Sequence, residues 1–500
     1  MGIRKESILS LLFILSIGWT AFVLNGCTVG PDFVPPTPPE VHDYTTAQIP
    51  PVIAPVTGEA DQRIHIGEEI SSQWWELFSE PALNDVLRTA IEKNPTIAAA
   101  KATLASARET VTATKGGYYP QVDFPANFDR RKASALTSEN SFSGSQGGSL
   151  TSNLYSLAPI VSYSLDIFGG TRRKVEQQQA LAEFQGYELA AAYLTLTGNV
   201  VAQAITIASL RSQIQATEVV IAEDEQNFSL VSRKFEAGKA ARTDVLTAET
   251  QLDSDRTLLP PLRQALSAAK HELSILTGRL PAEWSPPDFN LKDFILPGDL
   301  PLTLPSELVR RRPDIMAAEA QLHSDSAAIG VATAQLYPNI TLSASLGQEA
   351  LKAGSLFDQV NRFWSLAAGI TQPIFHGGTL KAQQRAAVDT YEASLATYEQ
   401  TVLQAFQQVA DILMAISHDA ELIAAARKLL DTSSTSVGLN RLSYTAGKLD
   451  ILQLIVAERS YQQGLLEYTR AEAQRLQDTA QLFVALGGGW WSTNLLSAPK

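Results

Sequence analysis

The sequence predicts a mainly helical, internally duplicated protein with a few β-strands that would form part of a membrane β-barrel. Residues 170–236 and 378–444 are free of proline and place apolar side chains at steps of three and four, which is typical of helices packed along other helices. Each helix would be about 100 Å long. Four runs read as strands, at residues 121–131, 154–168, 339–347 and 363–375.

The chain consists of two copies of one pattern. Both long helices follow an apolar run that ends in Ile-Phe and a glycine pair, and both end in an Ala-Gly-Lys turn, at Gly238 and at Gly447. From these turns the offset stays at 209 residues as far as Gly278 and Gly487. Each half therefore reads as a short helix, a helix, two strands, a very long helix, a turn and a last helix, which we place at about residues 243–276 and 450–486.

The N-terminus has the features of a signal peptide. Arg4 and Lys5 precede an apolar run over residues 8–23, and Cys27 follows where bacterial lipoproteins are cleaved and acylated. The alternative is an ordinary secretory peptide with a free thiol. Thr28 favours sorting to the outer membrane. We predict a signal peptide (1–26), a lipidated tether (27–73), a first repeat (74–280), a proline-rich linker (281–305), a second repeat (306–487) and a tail (488–500).

Composition restricts the class of protein. The net charge of −13 argues against binding to nucleic acid. No run after the N-terminus approaches the roughly 20 apolar residues of a membrane helix, so we expect strands to make any membrane crossing. The six histidines show no spacing typical of metal ligands, and no metal site is expected.

Four strands are too few to close a barrel in lipid, because an open sheet edge leaves backbone groups without hydrogen bonds. Two copies would supply eight strands around a filled interior, and three copies would supply twelve around a lumen. The helices could likewise line a tube or form a solid coiled coil. The sequence alone leaves the copy number open. Helical periodicity fits a tube and a coiled coil equally, but the attached strands favour the tube.

Several motifs resemble one family, the TolC-like outer-membrane efflux channels, in the lipoprotein branch (NodT-type) that serves resistance-nodulation-division pumps. They are the run from Cys27 to Asp32, Trp74-Trp75 with Phe78, the run from Leu308 to Glu319, and both Ala-Gly-Lys turns. The resemblance implies a homotrimer with a twelve-stranded barrel and a twelve-helix tunnel across the periplasm. It also implies a partner adaptor (membrane fusion protein) and an inner-membrane pump, no catalysis, and no cofactor beyond the lipid on Cys27.

The resemblance further implies that the turns form the periplasmic tip, which carries the gate and the adaptor contact. The candidate residues are Gly238, Lys239, Arg242, Asp244, Gly447, Lys448 and Asp450. Converging copies of Asp450 would repel one another and need a nearby cation such as Arg242 or a bound metal. The alternative is that Asp244 and Asp450 only cap helices.

Three other functions compete with small-molecule efflux. A channel for type I protein secretion has the same architecture and a different partner. A structural coiled-coil lipoprotein of the periplasm would not need four strands. An enzyme is disfavoured, since the sequence has no nucleophile elbow, metal-ligand cluster or phosphate loop.

Overall fold

The computed structural model describes residues 28–41, 43–45, 52–53, 62–132 and 151–492. The predicted signal peptide, Cys27 and most of the tail lie outside these residues. The helices are α1 (Pro81–Lys93), α2 (Pro95–Lys115), α3 (Gly170–Glu236), α4 (Arg242–Arg256), α5 (Leu259–Leu276), α6 (Pro305–Arg311), α7 (Pro313–Ala334), α8 (Thr379–Thr445) and α9 (Ile451–Ala485). The strands are β1 (Val52–Ile53), β2 (Gln62–Ile66), β3 (Gln121–Asp123), β4 (Ala126–Lys132), β5 (Thr151–Leu157), β6 (Ile160–Leu165), β7 (Asp299–Leu302), β8 (Asn339–Ala350) and β9 (Arg362–Thr371).

The chain divides into two compact units, and each draws on both sequence repeats. The strand unit comprises the described parts of Met1–Pro35, Ala105–Glu183 and Glu319–Ala396. The helical unit comprises the described parts of Pro36–Leu104, Phe184–Ala318 and Thr397–Lys500. The repeat boundaries given above stay a prediction, because the units cut across them.

The strand unit is built on an antiparallel sheet whose segments follow in chain order. Strands β3 and β4 pair with β6 and β5, β8 pairs with both β6 and β5, and β9 pairs with β8. Two of the four predicted strands are interrupted, at Pro125 and at Pro159. Proline lacks the amide that a ladder hydrogen bond needs, which explains both breaks.

The two faces of this sheet differ in polarity. The apolar face carries Val161, Tyr163, Leu165, Ile340, Leu342, Leu346, Trp364, Leu366 and Ile370, as the strand register shows. The opposite face carries Ser162, Ser164, Thr341, Ser343, Ser345, Ser365, Gly369 and Thr371. Leu366 is 77% exposed, as is typical of this apolar surface on β9. The sheet therefore leaves its apolar face uncovered within the chain.

The helical unit has an apolar core that begins earlier in the sequence than predicted. Trp74 and Phe78 are fully buried, and Trp74 stacks on Phe483 at 5.4 Å between ring centroids, so Trp74 packs in the core. However, β2 lies within the predicted tether and pairs in parallel with β7, which lies within the predicted linker. The expectation of little regular structure in the linker was therefore wrong at residues 299–302.

Two of the three consecutive arginines, Arg311 and Arg312, make ion pairs or hydrogen bonds within the helical unit. Arg312 is buried and donates hydrogen bonds to the Ala485 carbonyl at 3.0 Å and to Gln408 Oε1 at 2.8 Å. Arg311 pairs with Glu307 at 3.1 Å. Arg312 thus joins α8 and α9, whereas the Arg311–Glu307 pair lies within α6.

The long helices match the prediction to within one residue, whereas one of the last helices does not. Residues 243–276 form two helices, because Pro260 and Pro261 cannot donate the hydrogen bonds that would continue α4 into α5. Within the described residues, α3 contains a window long and apolar enough to cross a membrane by length and composition alone. Since 56% of that window is buried, a core helix accounts for it, although the expectation of no such run was too strict.

Candidate functional site

The turn after α3 closes with two backbone hydrogen bonds. The Lys239 amide donates to the Lys234 carbonyl at 2.8 Å, and the Gly238 amide donates to the Phe235 carbonyl at 2.8 Å. This pair of bonds is the Schellman arrangement, which satisfies the last carbonyls of a helix. The helix therefore ends at a defined residue and the chain reverses into α4.

The turn after α8 repeats the same geometry in the second half. The Lys448 amide donates to the Ser443 carbonyl at 2.9 Å, and the Gly447 amide to the Tyr444 carbonyl at 3.1 Å. The φ angles of Gly238 and Gly447 are +71° and +70°, in the left-handed region that favours glycine. Both predicted helix reversals are thus present.

The charged residues of the two turns differ in what they contact. Lys239, Arg242, Lys448 and Asp450 are exposed. Asp244 accepts a hydrogen bond from the Ala241 amide at 2.9 Å, so this carboxylate does cap the start of α4. Asp450 is the N-cap residue of α9 and corresponds to Ala241, not to Asp244, and its side chain makes no capping hydrogen bond.

Within the described chain, neither Arg242 nor Asp450 takes part in an ion pair. The expected neutralisation of Asp450 by Arg242 therefore does not occur inside one chain. The role of these residues in a gate stays a prediction.

An apolar cluster, here called the tip cluster, joins the ends of α3 and α8 to the starts of α4 and α9. Its members are Val231, Val245, Ala248, Tyr444, Ile451, Leu454 and Ile455. Burial raises the pKa of the Tyr444 hydroxyl, and the negative charges of Asp244 and Asp450 raise it further. Both aspartates therefore lie near one phenol, and the two turns are brought to the same end of the helical unit.

Lys234 and Tyr444 were not among the predicted site residues. The Lys234 ammonium lies 3.8 Å from the centre of the Tyr444 ring and 3.4 Å from the Tyr444 carbonyl oxygen. This cation–π contact ties the two long helices together at the turns. The available sequence signal was the aromatic residue that precedes each Ala-Gly-Lys turn, Phe235 in one half and Tyr444 in the other.

The residues that follow the predicted lipidation position are held against the strand unit. The Val29 amide donates to the Phe168 carbonyl at 3.1 Å. The buried Arg173 side chain donates to the Val29 carbonyl at 3.2 Å and pairs with Asp32 at 2.7 Å. Residues 28–33 thus form an N-terminal clasp. Cys27 itself lies outside the described residues.

Two further contacts fix the clasp. Gly30 has a φ of +93°, and a Cβ atom at this position would lie 2.4 Å from the Gly330 Cα atom. Only glycine allows this approach of two backbones. Phe33 stacks on His323 with 4.4 Å between ring centroids, and His323 Nε2 lies 3.1 Å from Glu176 Oε1.

The chain is similar over nearly its whole length to outer-membrane efflux proteins. It is 29% identical over 484 residues to the probable efflux pump outer membrane protein TtgC of Pseudomonas putida, covering 96% of each chain. It is 27% identical over 490 residues to nodulation protein T of Rhizobium leguminosarum bv. viciae, covering 98% of this chain and 95% of the relative.

A solved structure has the same fold. The outer-membrane channel OprN superposes with a TM-score of 0.83 at 27% identity, covering 93% of this chain and 100% of OprN. The fold is therefore the TolC-like fold that the motifs implied. The family model described as outer membrane efflux protein matches residues 86–279 and 304–488. Together with the two-faced sheet and the paired long helices, this match shows that the chain belongs to the outer membrane efflux protein family.

Proposed function

We propose that this protein is the outer-membrane channel of a tripartite efflux system. Small molecules would pass from an inner-membrane pump through a periplasmic adaptor into the channel and out of the cell. The channel catalyses no reaction, and the pump supplies the energy. Acyl chains on Cys27 anchor the protein, and the clasp at residues 28–33 holds that anchor next to the sheet.

The observation that carries this proposal is the two-faced sheet. In a water-soluble protein, the apolar face of an antiparallel sheet would be packed on a core. Here Trp364, Leu366 and Ile370 are 75%, 77% and 70% exposed, while the other face carries hydroxyl groups. An apolar outside and a polar inside are typical of a barrel wall between lipid and water.

The sheet edges support assembly from several copies. Among the described strands, β9 pairs on one side only, with β8, and the β3–β4 segment also has a partner on one side only. Because lipid cannot bond to an open edge, neighbouring copies must complete the ring. We propose a homotrimer, since twelve strands leave a lumen whereas eight leave a filled interior.

The turns are the proposed adaptor contact and gate. Lys239 and Lys448 are exposed beside them, and Arg242 and Asp450 have side chains that face solvent within one chain. In a trimer, copies of these charges approach one another around an axis. A gate formed by their pairing would be sensitive to small helix movements.

The test compares two adjacent substitutions in β9. Leu366→Arg places a charge on the proposed lipid side and should prevent assembly, because a charge at the membrane midplane costs about 2–4 kcal/mol. Ala367→Arg places the same charge on the polar side and should still assemble, with altered ion selectivity. Trimer yield in outer-membrane fractions and current across planar bilayers measure both effects.

Equal assembly of both variants would contradict the barrel assignment.

A second experiment places a cysteine at Lys239 or Lys448 and identifies the partner by crosslinking in cells. Capture of an adaptor of the drug-efflux type supports small-molecule export. Capture of a protein-secretion adaptor would overturn the proposal of small-molecule export in favour of protein secretion.

A further inference from the structure

Two carboxylates on different helices meet inside the helical unit. Asp224 lies on α3 and Asp255 on α4, and they are 3% and 4% exposed. Their carboxyl groups interact with each other, and the adjacent residues Glu225 and Arg256 pair at 2.8 Å across the same two helices. Two buried carboxyl groups that face each other avoid mutual repulsion when one of them carries a proton.

The surrounding hydrogen bonds show which aspartate holds this proton. Asp255 accepts hydrogen bonds from Gln251 Nε2 at 2.8 Å and from Gln462 Nε2 at 3.3 Å. By contrast, the buried Asp224 Oδ2 atom has no donor within the part of the chain that the structure describes. Because Asp255 already accepts two hydrogen bonds and Asp224 Oδ2 accepts none, we place the shared proton on Asp224.

The cation that pairs with the neighbouring carboxylates is Arg441. Arg441 on α8 pairs with Glu223 of α3 at 2.8 Å and with Glu458 of α9 at 3.2 Å. Glu458 also accepts a hydrogen bond from Asn227 at 2.7 Å. Glu223, next to Asp224 on α3, and Glu458 on α9 are themselves acidic, and Arg441 on α8 is paired with both. These groups therefore do not supply a positive charge that could stabilise a second anion at Asp224.

The pair also has a specific place in the fold. Asp224 lies 14 residues before Gly238, about 20 Å along α3. The tip cluster fills the interval, with Val231 of α3 packed among residues of α4, α8 and α9. A separation of α3 from α4 at this level would therefore loosen the turns below it.

We propose that Asp224 and Asp255 form a proton-held junction between α3 and α4, which tightens the tip in acid and loosens it as pH rises. The proton is the ligand of this junction. Without it, two negative charges would face each other in a buried space that holds no available cation within the described residues. Their repulsion would be relieved by moving the helices apart and admitting water.

The direction of the pH effect follows from the two states of Asp224. Burial, together with Asp255, raises the pKa of Asp224 to about 8 in the closed junction. In an open, hydrated junction the pKa returns to the ordinary value near 4. Between these values the closed state keeps a proton that the open state has lost, so opening becomes more favourable as pH rises. Burial also raises the pKa of Glu458, which acts in the same direction.

Amide hydrogen exchange on the purified full-length protein tests the proposal. After correction for the intrinsic exchange rate, the opening constant of amides in residues 224–256 should rise more than about tenfold from pH 5 to pH 7. Asp224→Asn keeps a neutral hydrogen-bond donor beside Asp255 and should reduce this rise to less than about threefold. The exchange readout does not require a functioning channel.

Two variants control for general effects of removing a carboxylate. Glu225→Gln removes an exposed charge of α3 that pairs with Arg256 at 2.8 Å, and it should leave the pH dependence as in the unmodified protein. Asp419→Asn changes a second buried pair, with Asp478, at another level of the unit. It should likewise leave exchange near the turns unchanged.

A pH-independent opening constant in the unmodified protein would overturn the proposal, as would an unchanged pH dependence in Asp224→Asn. If that variant does not fold, infrared spectroscopy of the unmodified protein decides. A protonated carboxylic acid band that disappears near pH 8 supports the junction, and the absence of such a band rejects it. If the protein is the proposed channel, its current should be higher at pH 8 than at pH 5. This expectation rests on the proposed function, so an unchanged current alone would count against the gate and not against the junction.

Discussion

The two repeats have the same backbone plan but place their buried carboxylates at different levels. Positions 224 and 255 of the first repeat correspond, at the offset of 209, to Ser433 and Gly464 in the second. A Cβ atom on Gly464 would lie 3.2 Å from the Ser433 hydroxyl. The first repeat thus has a shared proton where the second has close packing.

The reverse holds further along the helices. In the second repeat, burial together with the neighbouring Asp478 raises the pKa of Asp419 to about 7. The corresponding residues of the first repeat, Leu210 and Ala269, belong to the apolar core. The length of the long helices and both turns were therefore kept through the duplication, whereas polar contacts between the helices diverged.

The largest expected effect comes from giving the second repeat the carboxylate of the first. Gly464→Asp places a side chain against the Leu430 Cα atom at 3.3 Å and buries a charge near Ser433. We expect the free energy of unfolding to fall by about 3 kcal/mol or more, because the cost of overpacking and the cost of an unpaired buried charge add together. Thermal unfolding of the purified protein measures it.

The matched control for this change is Gly438→Asp on α8, where a Cβ atom meets nothing within 4 Å. This substitution should change the free energy of unfolding by no more than about 0.5 kcal/mol. Equal stability of the two variants would show that the close packing at Gly464 does not distinguish the repeats.

A smaller effect separates the two turns. Asp244→Ala removes the hydrogen bond from the Ala241 amide and should lower the free energy of unfolding by about 1 kcal/mol. Asp450→Ala removes no such bond and should lower it by less than about 0.5 kcal/mol.

If Asp450 acts in a gate with Arg242, Asp450→Ala and Arg242→Ala should both raise conductance in planar bilayers. Unchanged conductance in both variants would leave Asp450 as a helix-start residue only.

The smallest effect concerns the break between α4 and α5. Thr257 and Leu258 already have helical backbone angles, so the double change Pro260→Thr and Pro261→Arg, which copies Thr469 and Arg470, should join the helices. Stability should change by less than about 1 kcal/mol, while amide protection at residues 257–261 rises. No gain in protection would mean that packing, and not proline, imposes the break.

The fold was predictable where local chemistry decides it. Glycine at 238 and 447 marks the end of each long helix, because few other residues adopt the left-handed backbone that the turn needs. The prolines at 125, 159 and 260 also carried information, but each falls inside a strongly periodic run, and the run dominated the interpretation. The parallel pairing of β2 with β7 joins segments more than 200 residues apart, which no local pattern indicates.

The site was predictable only in part. The duplicated turn motif identified both turns, and the structure brings them together around Tyr444. Two contacts depend on the register between helices, namely Asp224 with Asp255 and Lys234 with Tyr444. The apolar pattern of the sequence is compatible with many such registers. Periodicity reports which face of a helix is apolar, and not which polar residue on that face finds which partner.

The N-terminal clasp sets an order of events during biosynthesis. Val29 contacts Phe168, Gly30 lies against Gly330, and Phe33 stacks on His323. Residues 28–33 can therefore form these contacts only after residues some 140 to 300 positions later have been synthesised. Contacts of such long sequence separation close slowly. A segment that is synthesised early, directly after the predicted signal peptide and Cys27, is thus among the last to reach its final contacts.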